Sequence, residues 1–185
     1  MPVDPGLLAQ ALRTPETADI TATPIVRAVI LTDPANAADL VPPLGYGDSL
    51  EARNARRVLC EFGADAAPHL MRALAASDAV RARAEGIEAF AAMLTMEDPR
   101  AVRSSLADCA DGIRVLLGDR SPLPTDFPDY VEVDFTGRVC DLLYIALREL
   151  VDEGYDQSSY RSLDHQGRDA EIDLWLSHGT GDTIA

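Results

Sequence analysis

Apolar residues recur along most of this chain at the spacing of an amphipathic helix. Between residues 48 and 62, for example, the apolar positions are Ala55, Val58, Leu59 and Phe62. Spacings of three and four residues place such side chains on one face of a helix, where they can pack against a core. The same pattern predicts further helices over 5–12, 22–31, 35–44, 66–76, 80–94, 100–117, 137–151 and 168–177. We therefore predict an all-α fold of about nine helices.

Residues that start and stop helices support this assignment. Asp48 and Ser49 precede the helix predicted over 48–62, where a side-chain oxygen can accept a hydrogen bond from an unpaired backbone N–H. Gly63 follows that helix and is a candidate for its carboxyl-terminal stop. Three prolines occupy plausible first-turn positions, where a missing N–H costs nothing: Pro34, Pro68 and Pro99.

The region near residues 119–134 interrupts the helical pattern. Its prolines exclude a helix, and its other residues are mainly acidic or aromatic. Within it, residues 130–135 alternate between apolar and acidic side chains, which is compatible with a loop or a minor extended segment. We interpret the region as an insertion between repeats of a single domain spanning residues 1–185.

One stretch resembles a known family of helical repeats. Residues 55–74 read ARRVLCEFGADAAPHLMRAL, and residues 78–84 read DAVRARA, which is similar to the start of a following unit. Both segments resemble HEAT repeats, and the resemblance is specific over residues 48–95. It implies an α-solenoid of stacked antiparallel helix pairs, in which the second helix of each pair lines the concave side and carries partner contacts.

This resemblance suggests repeats at 20–47, 48–77, 78–118 and 135–178, preceded by an amino-terminal cap at 5–15. Residues 98–103 also resemble a repeat start, but they follow Val80 and Arg81 too closely for a complete helix pair. We assign residues 99–117 to the second helix of the third repeat. The register after residue 95 remains open.

Charge narrows the range of partners. The 185 residues carry 16 basic and 31 acidic side chains, which gives a net charge of −15, and every basic residue is arginine. Such a protein is repelled by nucleic acid and by anionic lipid, so we predict neither as a partner. There is no membrane-spanning apolar run and no secretion signal at the start of the sequence. Three widely spaced cysteines argue against a disulfide framework, and we expect a cytoplasmic protein.

Catalytic and metal-binding motifs are absent from the sequence. No glycine-rich phosphate loop, zinc-protease motif or serine nucleophile elbow occurs. His69 has no second ligand at i+4, and a metal site formed by Asp164, His165 and His178 is disfavoured. The cysteines fit buried apolar positions. We predict no cofactor, no metal and no enzymatic activity.

Three groups of residues are candidates for partner binding. On the helix over 66–76, His69 and Arg72 face the side that HEAT geometry makes concave. Arg53 and Arg57, together with Arg56, make up the second group. They either form a patch that binds a carboxylate or phosphate, or they are solvated side chains that pair with glutamates.

The insertion supplies the third group. It consists of two aromatic and two acidic side chains: Asp126, Phe127, Asp129 and Tyr130. Aromatic anchors flanked by carboxylates suit a basic protein partner. Alternatively, the aromatic residues seal a repeat interface and the carboxylates form a solvated acidic loop. A calcium site is disfavoured, because the spacing and the turn glycine of a calcium loop are missing.

The favoured function is that of a non-catalytic protein-protein interaction module. Its negative charge would accelerate encounter with a basic partner, so a narrower alternative is an immunity or antitoxin-type protein that neutralises a basic effector. The rival class is a HEAT-like enzyme or DNA-acting protein. A pocket with convergent polar groups would favour the enzyme, and a basic groove would favour DNA.

Overall fold

The computed structural model describes residues 3–95, 97–127, 137–152 and 154–177. Over these residues the chain forms helices and no strand, with one isolated bridge between Pro122 and Arg138. The α-helices are α1 (Pro5–Leu12), α2 (Val41–Leu44), α3 (Leu50–Leu59), α4 (Ala67–Ala75), α5 (Val80–Thr95), α6 (Pro99–Asp108), α7 (Ala110–Leu117), α8 (Val139–Val151), α9 (Gln157–Arg161) and α10 (His165–Ser177). Short 3-10 helices cover Ile20–Ala22, Pro34–Leu40 and Ala64–Ala66, and a π-helix covers Val26–Ile30. The all-α prediction is confirmed for this part of the chain.

Local chemistry sets several helix boundaries where the sequence predicts them. The Ser49 hydroxyl accepts a hydrogen bond from the Ala52 backbone N–H at 3.1 Å and caps α3. Pro68 and Pro99 lie in the first turns of α4 and α6. Gly63 does not end α3, because that helix stops at Leu59 and Gly63 has a φ of −83°.

Two predicted helices are interrupted. The helix predicted over 100–117 breaks at Cys109, whose ψ of −3° departs from α-helical geometry, and becomes α6 and α7. The helix predicted over 35–44 runs as a 3-10 helix as far as Leu40. Pro42 and Pro43, which follow it, have no backbone N–H to donate to the preceding turn, so they cannot support regular α-helical bonding there.

Two other segments also depart from prediction. Residues 22–31 form a short 3-10 helix and a π-helix instead of one α-helix. The short helix α9 carries too few residues for a periodic pattern and was not predicted. Within the insertion, residues 119–127 contain no helix, as the prolines predict, and the remainder lies outside the described residues.

The helices pack in two rows, and successive helices along the chain mostly alternate between the two rows. In the first, which we call the α4 row, α4 contacts the Pro34–Leu40 segment, α6 and α7. In the second, the α5 row, α5 contacts α3 and α8. The rows are joined by contacts of α5 with α4 and of α8 with α7.

Helix α5 lies at the centre of the packing and is buried on most sides. Its Ile87, Phe90 and Leu94 side chains are completely buried. Gly86 allows α5 to approach α4 closely, because a methyl group at Gly86 would lie 2.9 Å from Leu74 Cδ1 and still nearer to Cδ2. None of the described helices combines the length and the apolar content that a membrane span requires.

Candidate binding cleft

A cleft opens along the α5 row, between α3, α5 and α8. Its volume is about 420 Å³, within the range of small-molecule and side-chain binding pockets. Residues 123–127 of the insertion and helix α9 border it, so segments distant in sequence close its sides. The cleft is therefore a product of tertiary packing and not of one local motif.

Most of the cleft surface is apolar. Ile87 on α5 and Ile145 and Ala146 on α8 are buried side chains that line it. Phe127 contributes from the insertion and is itself only 6% exposed. These groups offer an apolar surface to an alkyl or aromatic group that enters from solvent.

One wall of the cleft carries a cluster of charges. The guanidinium of Arg56 on α3 lies 3.0 Å from Glu85 Oε2 and 3.8 Å from Glu88 Oε2, measured from the same nitrogen, Nη1. Glu85 also pairs with Arg81 at 3.6 Å. Glu85 therefore has two cationic partners, whereas Glu88 has only the longer contact to a guanidinium that it shares.

The environment of Glu88 makes its charged form costly. Burial, and after it the charge of Glu85, raise the pKa of Glu88 to about 7, and Arg56 only partly opposes both effects. Burial also raises the pKa of Glu85, although Arg56 and Arg81 lower it. A carboxyl group in a cleft that titrates near neutral pH marks a candidate functional site.

The Cys60 thiol lines the cleft but is not activated. Sequence analysis placed all three cysteines at buried apolar positions, yet Cys60 is exposed, unlike Cys109 and Cys140. Desolvation raises the pKa of Cys60, so the thiol is protonated at neutral pH and a poor nucleophile. The chemistry of the cleft is better suited to noncovalent recognition than to attack by a thiolate.

A buried carboxylate anchors the helices that form the far side of the cleft. Asp141, in the first turn of α8, is completely buried and accepts hydrogen bonds from Arg138 Nε and Nη2 at 3.0 and 2.9 Å. It also accepts from Arg168 Nη1 and from the Tyr160 hydroxyl, both at 2.9 Å. One side chain therefore connects α8, α9 and α10.

The residues that the sequence predicts as partner contacts lie at different places in the structure. Among the described residues of these groups, Phe127, which is buried, and Arg56 line the cleft. Asp126 is exposed beside Phe127 and forms an ion pair with Arg81. Asp129 and Tyr130 lie outside the described residues.

The remaining predicted contacts lie elsewhere. His69 and Arg72 belong to the α4 row, and Arg72 borders a smaller depression of about 240 Å³ between α4 and α7. Arg53 pairs with Glu16 and Asp48, and Arg57 is exposed on α3. Among the residues that the structure describes, no group of three histidine, cysteine or acidic side chains is placed to hold a metal ion.

Sequence reasoning singled out Arg56 of the cleft as a candidate, but not Glu88. One of the two alternatives for the arginines of α3 was solvated side chains paired with glutamates. Arg56 does pair with Glu85 and Glu88, yet the Glu88 side chain is only 18% exposed. A signal was available in α5, where after Arg83 the two glutamates are the only charged residues in a run of alanine, glycine and large apolar groups up to Leu94. A helix of that composition is buried on most sides, so its carboxylates lie near the core.

Comparison of this chain with protein-family models, with curated proteins and with solved structures finds no match. The resemblance to HEAT repeats therefore stays a prediction from the sequence. The functional argument depends on the geometry of the cleft.

Removing the charge of Glu88 is expected to stabilise the protein at neutral and higher pH. The folded-state pKa of about 7 exceeds the ordinary value of 4.5, so folded protein binds more protons than unfolded chain between these values. Stability therefore falls as pH rises through that interval. Glu88→Gln should raise the free energy of unfolding by about 2–3 kcal/mol at about pH 8, but by less than about 1 kcal/mol at about pH 5.

Urea denaturation at both pH values measures this difference. Glu149→Gln is the matched control, because Glu149 borders the same cleft but is exposed. Its effect should be below about 0.5 kcal/mol at either pH. An equal gain from Glu88→Gln at both pH values would contradict the assignment of a buried, titrating carboxyl group.

Proposed function

We propose that this protein is a non-catalytic interaction module of HEAT-repeat type that holds a protein partner in the cleft of the α5 row. The alternating contacts within the α4 row and within the α5 row support a stack of helix pairs, since each helix of such a stack packs on the equivalent helix of the next pair. The single observation that carries the proposal is the apolar cleft with charged groups along one wall.

The contents of the cleft favour a protein over a reactive small molecule. Its apolar surface can bury a side chain, and its charged groups can orient one, which is the combination found at the centres of protein interfaces. The only thiol on the cleft has a raised pKa. As part of this proposal we place the module in the cytoplasm, because its three cysteines are unpaired thiols.

A basic partner fits this proposal better than an acidic one. The net charge of −15 attracts cationic proteins and increases their rate of encounter. An immunity or antitoxin-type role against a basic effector is a narrower form of the same function. A steep fall of the association rate with added salt would support that form.

Selection of binding peptides tests the proposal directly. A displayed peptide library is selected on the wild-type protein, and each enriched peptide is then measured against two tryptophan variants. Ala92→Trp places a large side chain at the cleft, whereas Ala107→Trp places one on the exposed surface of α6 in the other row. The peptides should lose about tenfold or more in affinity for Ala92→Trp and keep their affinity for Ala107→Trp.

Two outcomes would overturn the proposal. Peptides that bind both variants equally would place recognition outside the cleft. Failure to enrich any peptide above the level of a library selected on an unrelated protein would argue against a protein-binding role. Circular dichroism of both variants establishes that each remains folded.

A further inference from the structure

The Glu88 carboxylate has few hydrogen-bond and ion-pair partners for a side chain that is only 18% exposed. Among the described residues it accepts no hydrogen bond, and its one ion pair is the 3.8 Å contact with Arg56. The same Arg56 nitrogen lies nearer to Glu85, at 3.0 Å. A carboxylate removed from water without donors is costly, so an added donor would relieve it.

The charges that face Glu88 come from each element around the cleft. Helix α3 contributes Arg56, and the neutral Cys60 thiol follows that helix. On α5, Glu85 stands behind Glu88 and pairs with both Arg56 and Arg81. Helix α8 contributes Glu149, and α9 contributes Arg161. Among the described residues Arg56 and Arg81 both pair with Glu85, so an ionised Glu88 shares Arg56 and has no further cation within ion-pair distance.

Apolar groups lie next to this charge. Ile145 and Phe127 line the same cleft as Glu88 and present carbon surface to its interior. A ligand that fits both features needs an apolar stem and a terminal cation. The side chains of arginine and lysine have this form, because their methylene groups pack against apolar surface while the charged end reaches a partner.

We propose that the cleft receives an arginine or lysine side chain of the protein partner, with its methylene stem against Ile145 and Phe127 and its cation on Glu88. The inference rests on the proposed function and specifies what the partner must present. Arginine suits the position especially well, since its planar fork can donate two hydrogen bonds to one carboxylate.

Protonation of Glu88 makes such binding depend on pH. The pKa near 7 leaves the carboxyl group largely neutral at about pH 6 and largely ionised at about pH 8. A cation binds the ionised form, so its affinity should rise roughly tenfold between these pH values, whereas an uncharged ligand should show little change.

Small probes test this recognition without a known partner. Pentylguanidinium carries the head group of arginine on an unbranched alkyl stem, pentylurea is its uncharged counterpart of the same shape, and hexanoate is an anion of similar length. Each is titrated into the full-length protein at about pH 6 and about pH 8, and binding is followed by NMR at the Ile145 and Ala146 backbone amides. We expect pentylguanidinium to bind more tightly than pentylurea at the higher pH, and the preference to shrink at the lower one.

The Glu88→Gln variant serves as the matched test of the mechanism. It preserves side-chain shape and should bind pentylguanidinium and pentylurea alike, with no dependence on pH. Glu149→Gln should retain the pH dependence. Three results would each overturn the inference. The first is equal binding of pentylguanidinium and pentylurea to the wild type at about pH 8, and the second is tighter binding of hexanoate than of pentylguanidinium. The third is no pentylguanidinium binding at the two amides up to about 50 mM.

These results separate the inference from the proposed function. Pentylguanidinium could bind at the cleft while the peptide selection fails. That result would support recognition of a cation by the cleft and contradict the protein-binding role. Peptides could instead bind at the cleft and keep their affinity when citrulline or norleucine replaces their basic residues. That result would support the protein-binding role and contradict the inference that the cleft receives an arginine or lysine side chain.

Discussion

Asp141→Asn is expected to lower the free energy of unfolding by about 3–5 kcal/mol, the largest effect of a single charge-removing change in this protein. The carboxylate is completely buried and accepts hydrogen bonds from Arg138, Arg168 and Tyr160. Asparagine keeps the shape but loses the charge, and it leaves two guanidiniums in the interior without their main counter-ion. Chemical denaturation monitored by circular dichroism measures the loss.

The pH dependence of stability should change in the same variant. Burial alone would raise the pKa of Asp141, but hydrogen bonds from Arg138 and Tyr160 and the charges of both arginines outweigh it and hold the pKa below its ordinary value. The stabilisation by Asp141 is therefore present above its unfolded-state pKa and is lost as pH falls through the folded-state value. Asp141→Asn should flatten the loss of stability of the protein in acid.

Asp152→Asn is the control for this pair of measurements. Asp152 also pairs with an arginine, Arg148 at 2.9 Å, but it is 49% exposed, and its replacement should cost less than about 1 kcal/mol. Similar losses for the two asparagine variants would show that the buried network contributes no more than a surface ion pair.

Leu74→Ala and Gly86→Ala are expected to compensate each other when combined. Alone, Leu74→Ala should cost about 2–5 kcal/mol, because it leaves a cavity at a completely buried position. Gly86→Ala should cost about 1–3 kcal/mol through overpacking against Leu74, partly offset by up to about 1 kcal/mol of improved helix propensity. In the double variant the new methyl group occupies space that the leucine vacates.

A double-mutant cycle in urea gives the coupling directly. The double variant should be more stable than Leu74→Ala alone, with a coupling free energy of about 2 kcal/mol. The pair Leu74→Ala and Gly45→Ala offers a contrast, since the nearest atoms to a methyl group at Gly45 are Pro42 O and Ala79 Cβ and not Leu74. If the stability changes of Leu74→Ala and Gly86→Ala were strictly additive, the alanine at position 86 would not fill the space left by Leu74. Helices α4 and α5 would then move apart to accommodate it.

Sequence reasoning succeeded where structure is set by neighbouring residues. Ser49 caps α3 and Pro99 opens α6 because a hydroxyl acceptor and a missing N–H act within one helical turn. The break at Cys109 carries no such local signal, since neither glycine nor proline stands there. The apolar pattern continues from α6 into α7 across the break, so periodicity alone predicts one helix.

The site was harder to predict because it depends on contacts between distant segments. His69 and Arg72 were chosen from the expected face of a repeat, and the cleft lies on the other row, where residues 123–127 and α9 border it. Phe127 was identified as a candidate anchor from its aromatic character. The alternative that the aromatic residues of the insertion seal an interface anticipated its burial. The helices against which it packs could not be predicted, since their position beside it requires the insertion to fold back toward α5 and α8.

The central position of α5 restricts how the length of this chain can vary. Gly86 must face Leu74 while Glu88, two residues later, lines the cleft. Adding or deleting one residue between them would rotate the rest of the helix by about 100°, which would turn Glu88 away from the cleft and expose apolar side chains in its place. Insertions and deletions that keep both the fold and the cleft must therefore fall in the connections outside this helix.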